Sequence, residues 1–175
     1  MGVTSVLLWK DNNGQGMTKF HERVTTTLLG SYRDKWGIQV KLYRDNKNDV
    51  IVEAEREMEN ILEKLKNLWH LRQVMVYDGY TYIIGDFLIR VAYPKSTNYK
   101  GMLMEVEYTS TINPHVAAPI LDEFIEILKP PEIEIVKWKP DDKYSFSKIG
   151  LSEDTFTRAH TDYQYMMLFK SENLL

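Results

Sequence analysis

Two runs of strict alternation dominate the middle of the chain. Phe87, Ile89, Val91 and Tyr93 share one side of the first run, and Met102, Met104, Val106 and Tyr108 share one side of the second. Arg90, Glu105 and Glu107 point the other way. A period of two predicts a pair of strands, and if Tyr93 pairs with Met102 then Arg90 falls opposite Glu105 as a cross-strand ion pair. The expectation is a charged face turned to water or to a partner, with the eight apolar residues holding the sheet to its helices.

The same pattern places the other elements. VTSVLLW (3–9) reads as a buried strand and WGIQVKLY (36–43) as a strand with Trp36, Ile38, Val40 and Leu42 on one face. Between them, Thr18 is expected to cap a helix that buries Phe20, Val24 and Leu28 and stops at Gly30. VIVE (50–53) leads into AEREMENILEKLKNLW, where Met58, Ile61, Leu62, Leu65, Leu68 and Trp69 recur at three and four, the most regular helical stripe in the chain. In LRQVMVYDGYTYIIG, Asp78-Gly79 suits a type I′ hairpin turn, and Gly85 suits a bulge.

Downstream, HVAAPILDEFIEILKPP predicts a helix of two to three turns. Pro119 starts its regular part, Pro130 ends it, and Ile120, Leu121, Phe124, Ile125 and Leu128 face inward. EIEIVKWK is a strand, and SEDTFTRAHTDYQYMMLFK a closing helix capped by Ser152. Strands joined by short turns must be antiparallel, and their apolar faces need cover. The fold class that follows is α+β: a curved, barrel-like antiparallel sheet flanked by about four amphipathic helices, in one domain over residues 1–175.

Composition narrows the chemistry. Cysteine is absent, which removes thiol catalysis and zinc–thiolate sites and fits a reducing compartment. No run approaches the ~20 apolar residues of a membrane helix, so no membrane partner is expected. Twenty-two Lys and Arg against 25 Asp and Glu give a formal charge of −3, with no basic run to mark a nucleic-acid footprint.

Four features invite a catalytic or binding reading. Gly14-Gln15-Gly16 is a partial dinucleotide fingerprint, but Lys19 stands where its third glycine belongs. The histidines, His21, His70, His115 and His160, lie too far apart in sequence for a helix-face ligand pair. The pairs Glu53/Glu55, Glu105/Glu107 and Glu132/Glu134 have the spacing with which a metal-dependent, tunnel-type triphosphate hydrolase lines its barrel. Such an enzyme also needs a surplus of inward cations, and the face of Glu105 and Glu107 offers only Arg90 among Leu88, Ala92 and Leu103. Tyr77, Tyr80 and Tyr82 near Arg72 and Arg90 suggest a stacking surface for single-stranded nucleic acid, against which the negative net charge weighs.

Four stretches taken together, MGVTSVLLW, KNLWHLRQVMVYDGYTYIIGDFLIRV, YKGMLMEVEY and YQYMMLFK, resemble the Mediator subunit 20 family in order and spacing. The resemblance implies a non-enzymatic subunit of the Mediator head module, with neither cofactor nor catalytic residues. It implies a nuclear coactivator in RNA polymerase II transcription, paired with Mediator subunit 18 and tethered through the C-terminal region of subunit 8. Other head-module and initiation components are its further expected contacts. The family has two more strands between the segments matching Leu42-Tyr43 and Val50-Ile51, where only RDNKND stands here, so either a smaller sheet or a segment absent from this chain is expected. With eleven tyrosines and four tryptophans, aromatic groups exceed what the predicted faces absorb. Tyr43, Tyr99, Tyr144 and Phe146, in or beside loops, are the expected partner anchors.

Overall fold

The computed structural model describes residues 1–10, 14–45, 49–52, 61, 64, 65, 68–95, 101–130, 133–140 and 145–174. Seven strands form one sheet: β1 (Val3–Lys10), β2 (Ser31–Asp45), β3 (Asp49–Val52), β4 (Trp69–Ile84), β5 (Phe87–Pro94), β6 (Gly101–Tyr108) and β7 (Glu134–Lys137). Their order is β3-β2-β4-β5-β6-β1-β7, and every neighbouring pair is antiparallel. The sheet is open, with β3 and β7 at its two ends, so it does not close into a barrel among the described residues.

Three α-helices are described: α1 (Gly16–Glu22), which continues as a π-helical turn (Arg23–Thr27), α2 (Pro114–Leu128) and α3 (Arg158–Ser171). One sheet face carries Leu7, Trp9, Ile89, Val91, Met102, Met104 and Val106, packed with Phe20 and Val24 of the α1 segment and with Leu121, Phe124 and Leu128 of α2. The eight alternating apolar residues of β5 and β6 thus meet their helices as expected. The other face carries Val6, Leu8, Val40, Met75, Tyr77, Ala92 and Leu103 against Tyr165, Leu168 and Phe169 of α3. Rings tie the layers together: Phe87 stacks on Phe124 with centroids 3.7 Å apart, and Tyr77 stacks on Phe169 at 5.9 Å.

Several local expectations are corrected. Asp78-Gly79 is not a turn. β4 runs straight through it, with Gly79 opposite both Trp36 and Ala92. A Cβ on Gly79 would stand 1.8 Å from the Val91 carbonyl oxygen, so glycine is there for a close backbone approach. The hairpin turn is Gly85-Asp86, between paired Ile84 and Phe87, with Gly85 at φ +54°. Helix α1 is preceded by Gln15, not Thr18. Helix α2 begins at Pro114, capped by the Asn113 side chain, which accepts from the His115 and Val116 amides, and it accommodates Pro119 in its interior. Ser152 belongs to a turn before α3, accepting from the amides of Asp154 and Thr155, while Thr157 is the N-cap.

The helix expected over residues 54–69 lies mostly outside the described residues. Of its apolar stripe, Ile61, Leu65 and Leu68 are exposed rather than buried. They carry their hydrophobic surface away from both cores.

Candidate interaction surfaces

The face of Arg90, Glu105 and Glu107 is closed off from water. The register sets Arg90 opposite Glu105, as the alternation requires. Yet the Glu105 and Glu107 side chains are only 1% and 6% exposed, because α3 lies over them. Arg90 reaches both carboxylates, donating from Nη1 to Glu105 and from Nη2 to Glu107 Oε2 at 3.0 Å. Tyr165 Oη on α3 donates to Glu105 Oε2 at 2.7 Å, and the Gly2 backbone amide donates to Glu107 Oε1 at 2.6 Å. Arg158 approaches Glu105 Oε2 at 3.9 Å. The expected solvated face is therefore a buried polar joint between the sheet and its closing helix. Sequence reasoning missed it because the partners that permit burial come from residues some 60 and 105 positions away.

The remaining candidates for chemistry are dispersed. Glu134 pairs with Lys10 at 2.9 Å, while Glu53, Glu55 and Glu132 lie outside the described residues. Among the described residues, no three His, Asp or Glu side chains converge in metal-binding geometry. His160 is buried at the start of α3, where its Nδ1 accepts from the Thr157 amide and its Nε2 lies 2.8 Å from the Ser152 carbonyl. His21 Nδ1 lies 2.9 Å from Tyr82 Oη. His70 and His115 are exposed.

Of the tyrosines considered for stacking, Tyr77 and Tyr82 are buried and only Tyr80 is open, edge-on to exposed Tyr32. Burial first, and the neighbouring Tyr80 and Tyr32 second, hold the Tyr82 phenol above the ordinary tyrosine pKa.

Two of the four residues expected to anchor a partner lie inside the chain. Tyr43 is 5% exposed, and Phe146, at 9%, packs edge-on against Trp138, His160 and Tyr163. Tyr99 and Tyr144 lie outside the described residues. Loop position does not imply exposure when a satellite core forms beneath the loop, as Phe146, Tyr163 and Met167 do here.

A cleft of about 290 Å³ opens between β1, the start of α2 and the segment ahead of α3, lined by Val3, Ser5, Ala118, Trp138, Phe156 and Gln164. The Ser5 hydroxyl there is buried with no hydrogen-bond partner among the described residues.

Strand edges are the other surface an interaction protein offers. β7 covers β1 only over Leu7–Lys10. Ahead of it Gln164 of α3 takes over, donating from Nε2 to the Thr4 carbonyl at 2.9 Å and accepting from the Val6 amide at 3.1 Å. A side-chain amide thus continues the ladder that the short strand leaves off. β4 extends beyond β5, and along that stretch the Lys95 amide donates to Val76 O at 2.7 Å and the Gln73 side chain to Leu174 O at 3.3 Å. β3 pairs with β2 over Lys41 to Arg44.

Residues 45–170 match the family described as TATA-binding related factor (TRF) of subunit 20 of Mediator complex. Mediator of RNA polymerase II transcription subunit 20 from Schizosaccharomyces pombe (strain 972 / ATCC 24843) is 29% identical over 125 residues, 59% of this chain and 64% of that protein. Subunit 20b from Arabidopsis thaliana is 29% identical over 123 residues, 66% of this chain and 54% of that protein. The chain therefore spans less than two thirds of the length of either relative. Among solved structures, the PH1012 protein from Pyrococcus horikoshii OT3 is similar with a TM-score of 0.49 and 10% identity, over 75% of this chain and 94% of that one.

Proposed function

The chain belongs to the Mediator subunit 20 family, and from that premise we propose that it is a non-catalytic scaffold subunit of the Mediator head module, acting in the nucleus as a coactivator of RNA polymerase II transcription. Its stable partner in this reading is Mediator subunit 18, with the C-terminal region of subunit 8 as the tether to the rest of the head. The observation that carries the proposal is the family match over residues 45–170, most of the sheet and two of its helices. The sheet supports it in two ways. Its charged trio is paired and hydrogen-bonded inside the fold, where Glu105 and Glu107 accept from Arg90, Tyr165 and the Gly2 amide. Apolar side chains such as Leu65, Leu68 and Leu71 are also left on the surface, available to a partner.

Co-expression with subunit 18 tests the pairing. A 1:1 complex should survive gel filtration and bury at least ~1,200 Å² in total, the lower edge of stable interfaces. Absence of binding by calorimetry, with both chains folded, overturns the proposed partnership. For the non-catalytic part, purified chain with magnesium or manganese should release no phosphate from tripolyphosphate. Turnover that disappears in Glu105→Gln/Glu107→Gln overturns it in favour of a hydrolase.

A further inference from the structure

Leu29 is 85% exposed and stands in the left-handed region at φ +54°. Among the described residues one other non-glycine residue does so, Asn173, whose short polar side chain suits that conformation; a leucine there is strained. The strain has a visible source. The π-helical turn ends with the Leu28 amide donating to Arg23 O at 3.0 Å and the Gly30 amide to Val24 O at 2.8 Å, a helix stop whose left-handed position is ordinarily taken by glycine. The glycine of this chain comes one residue later. A Cβ on Gly30 would stand 2.6 Å from Ile84 Cγ1 and 2.9 Å from Val24 Cγ1, so close packing fixes it there. Stability alone favours glycine over an exposed leucine at position 29. The base beneath is firmly packed: Phe20 and Val24 are fully buried, and the Arg23 guanidinium donates to the carbonyls of Ile127 and Leu128. Three residues on, exposed Tyr32 meets exposed Tyr80 edge-on with ring centroids 6.0 Å apart, and Val24 to Tyr32 carry no charge. This end of β2 lies about ten residues, or 33 Å of strand, from Lys41, where the pairing with β3 stops.

We infer that Leu29 is a preformed anchor for a protein partner, its side chain entering an apolar, uncharged pocket on that partner while Tyr32 and Tyr80 contact the pocket's rim. The inference rests on the reading of this chain as a contact subunit and adds where a contact is made. A strained residue is kept where something outside the domain uses it, and here the strain holds an apolar side chain out in water. The local chemistry selects the class of partner. A nucleic acid would need cations in this segment, and Val24 to Tyr32 supply none. Tyrosines beside an apolar side chain match the composition at the centre of protein interfaces. Fixing the leucine outward before contact also spares the entropy of ordering it on binding.

The test uses the full chain, tagged in its own cells and purified with the assembly it forms, beside the same chain purified alone. Hydroxyl-radical footprinting reads side-chain oxidation in both. Leu29 should be oxidised readily in the free chain and no more than buried Val24 in the assembly. Leu29→Gly should keep or raise the urea midpoint of the free chain, yet leave the assembly about 10- to 150-fold faster, the equivalent of returning one leucine side chain to water. An assembly in which Leu29 stays as reactive as in the free chain overturns the inference and leaves the contact-subunit reading standing. A chain that purifies with no partner overturns both. Protection of Leu29 in an assembly without Mediator subunits upholds the inference and overturns the Mediator assignment. A lowered urea midpoint for Leu29→Gly shows that the side chain serves the domain itself, and overturns the inference. Protection of Leu29 by dimerisation of the chain alone, or by phosphatidylcholine vesicles without any partner protein, overturns it as well.

Discussion

Removing the guanidinium of Arg90 is the most direct probe of how the sheet is joined to its closing helix. Arg90→Ala deletes two charge-assisted hydrogen bonds, to Glu105 and to Glu107 Oε2, each worth about 1.5–3 kcal/mol. It leaves two carboxylates, 1% and 6% exposed, facing each other's charge with only Tyr165 Oη and the Gly2 amide as donors and with Arg158 more distant. Breaking a buried pair by removing one member costs about 3–5 kcal/mol. Because Arg90 itself is 20% exposed, water reaches the vacated position and the lower end, about 3 kcal/mol, applies. That is a large part of the ~5–15 kcal/mol that holds a domain together, and it corresponds to a melting temperature lowered by about 6–12 °C in a chain of this size. Urea denaturation followed by tryptophan fluorescence measures it.

The control is Arg90→Ala/Glu105→Gln/Glu107→Gln. If orphaned charge is what destabilises the single variant, neutralising both carboxylates should recover part of the loss even though more of the native network is gone. A loss below about 1 kcal/mol for Arg90→Ala, the size of a surface pair, refutes the joint as described. A triple variant less stable than the single one refutes the role of orphaned charge.

Other outcomes follow from single contacts. Gln164→Leu strips the ladder extension from β1 and should cost about 1–3 kcal/mol for each backbone group left unpaired, with faster hydrogen exchange at the Val6 amide. Gly79→Ala puts a methyl where the Val91 carbonyl already stands and should prevent folding or lower stability by more than about 3 kcal/mol, whereas a turn glycine would tolerate alanine far better. Leu65→Ala, at an exposed position, should change stability by less than about 1 kcal/mol; a cost of the size expected for a buried leucine would show that the helix packs on the domain. Tyr82 governs an alkaline limit. Its folded pKa is raised, so the unfolded chain releases the phenolic proton first; the associated stability is intact below about pH 10 and is lost as pH rises from there through the folded pKa. Tyr82→Phe should flatten that alkaline decline, read as the pH dependence of the urea midpoint.

Alternation alone determined a good deal of this protein. The period of two in β5 and β6 specified both strands, the cross-strand meeting of Arg90 with Glu105, and the apolar face that α1 and α2 cover, because register on a half-buried sheet follows from which residues must leave water. The repeat of Leu121, Phe124, Ile125 and Leu128 likewise announced α2. What lay beyond reach is decided by partners distant in the chain. The second face of the sheet looked solvated because it carries charges, and only the arrival of Tyr165 and of the Gly2 amide makes their burial tolerable. Helix α3 was legible as a closing helix, but its inner side was not. It buries His160, Thr161, Tyr163, Gln164, Tyr165 and Phe169 around most of its circumference, so no single stripe marks its inner side. Asp78-Gly79 reads as a turn in isolation, and the glycine acquires its other purpose only when β5 lies against it.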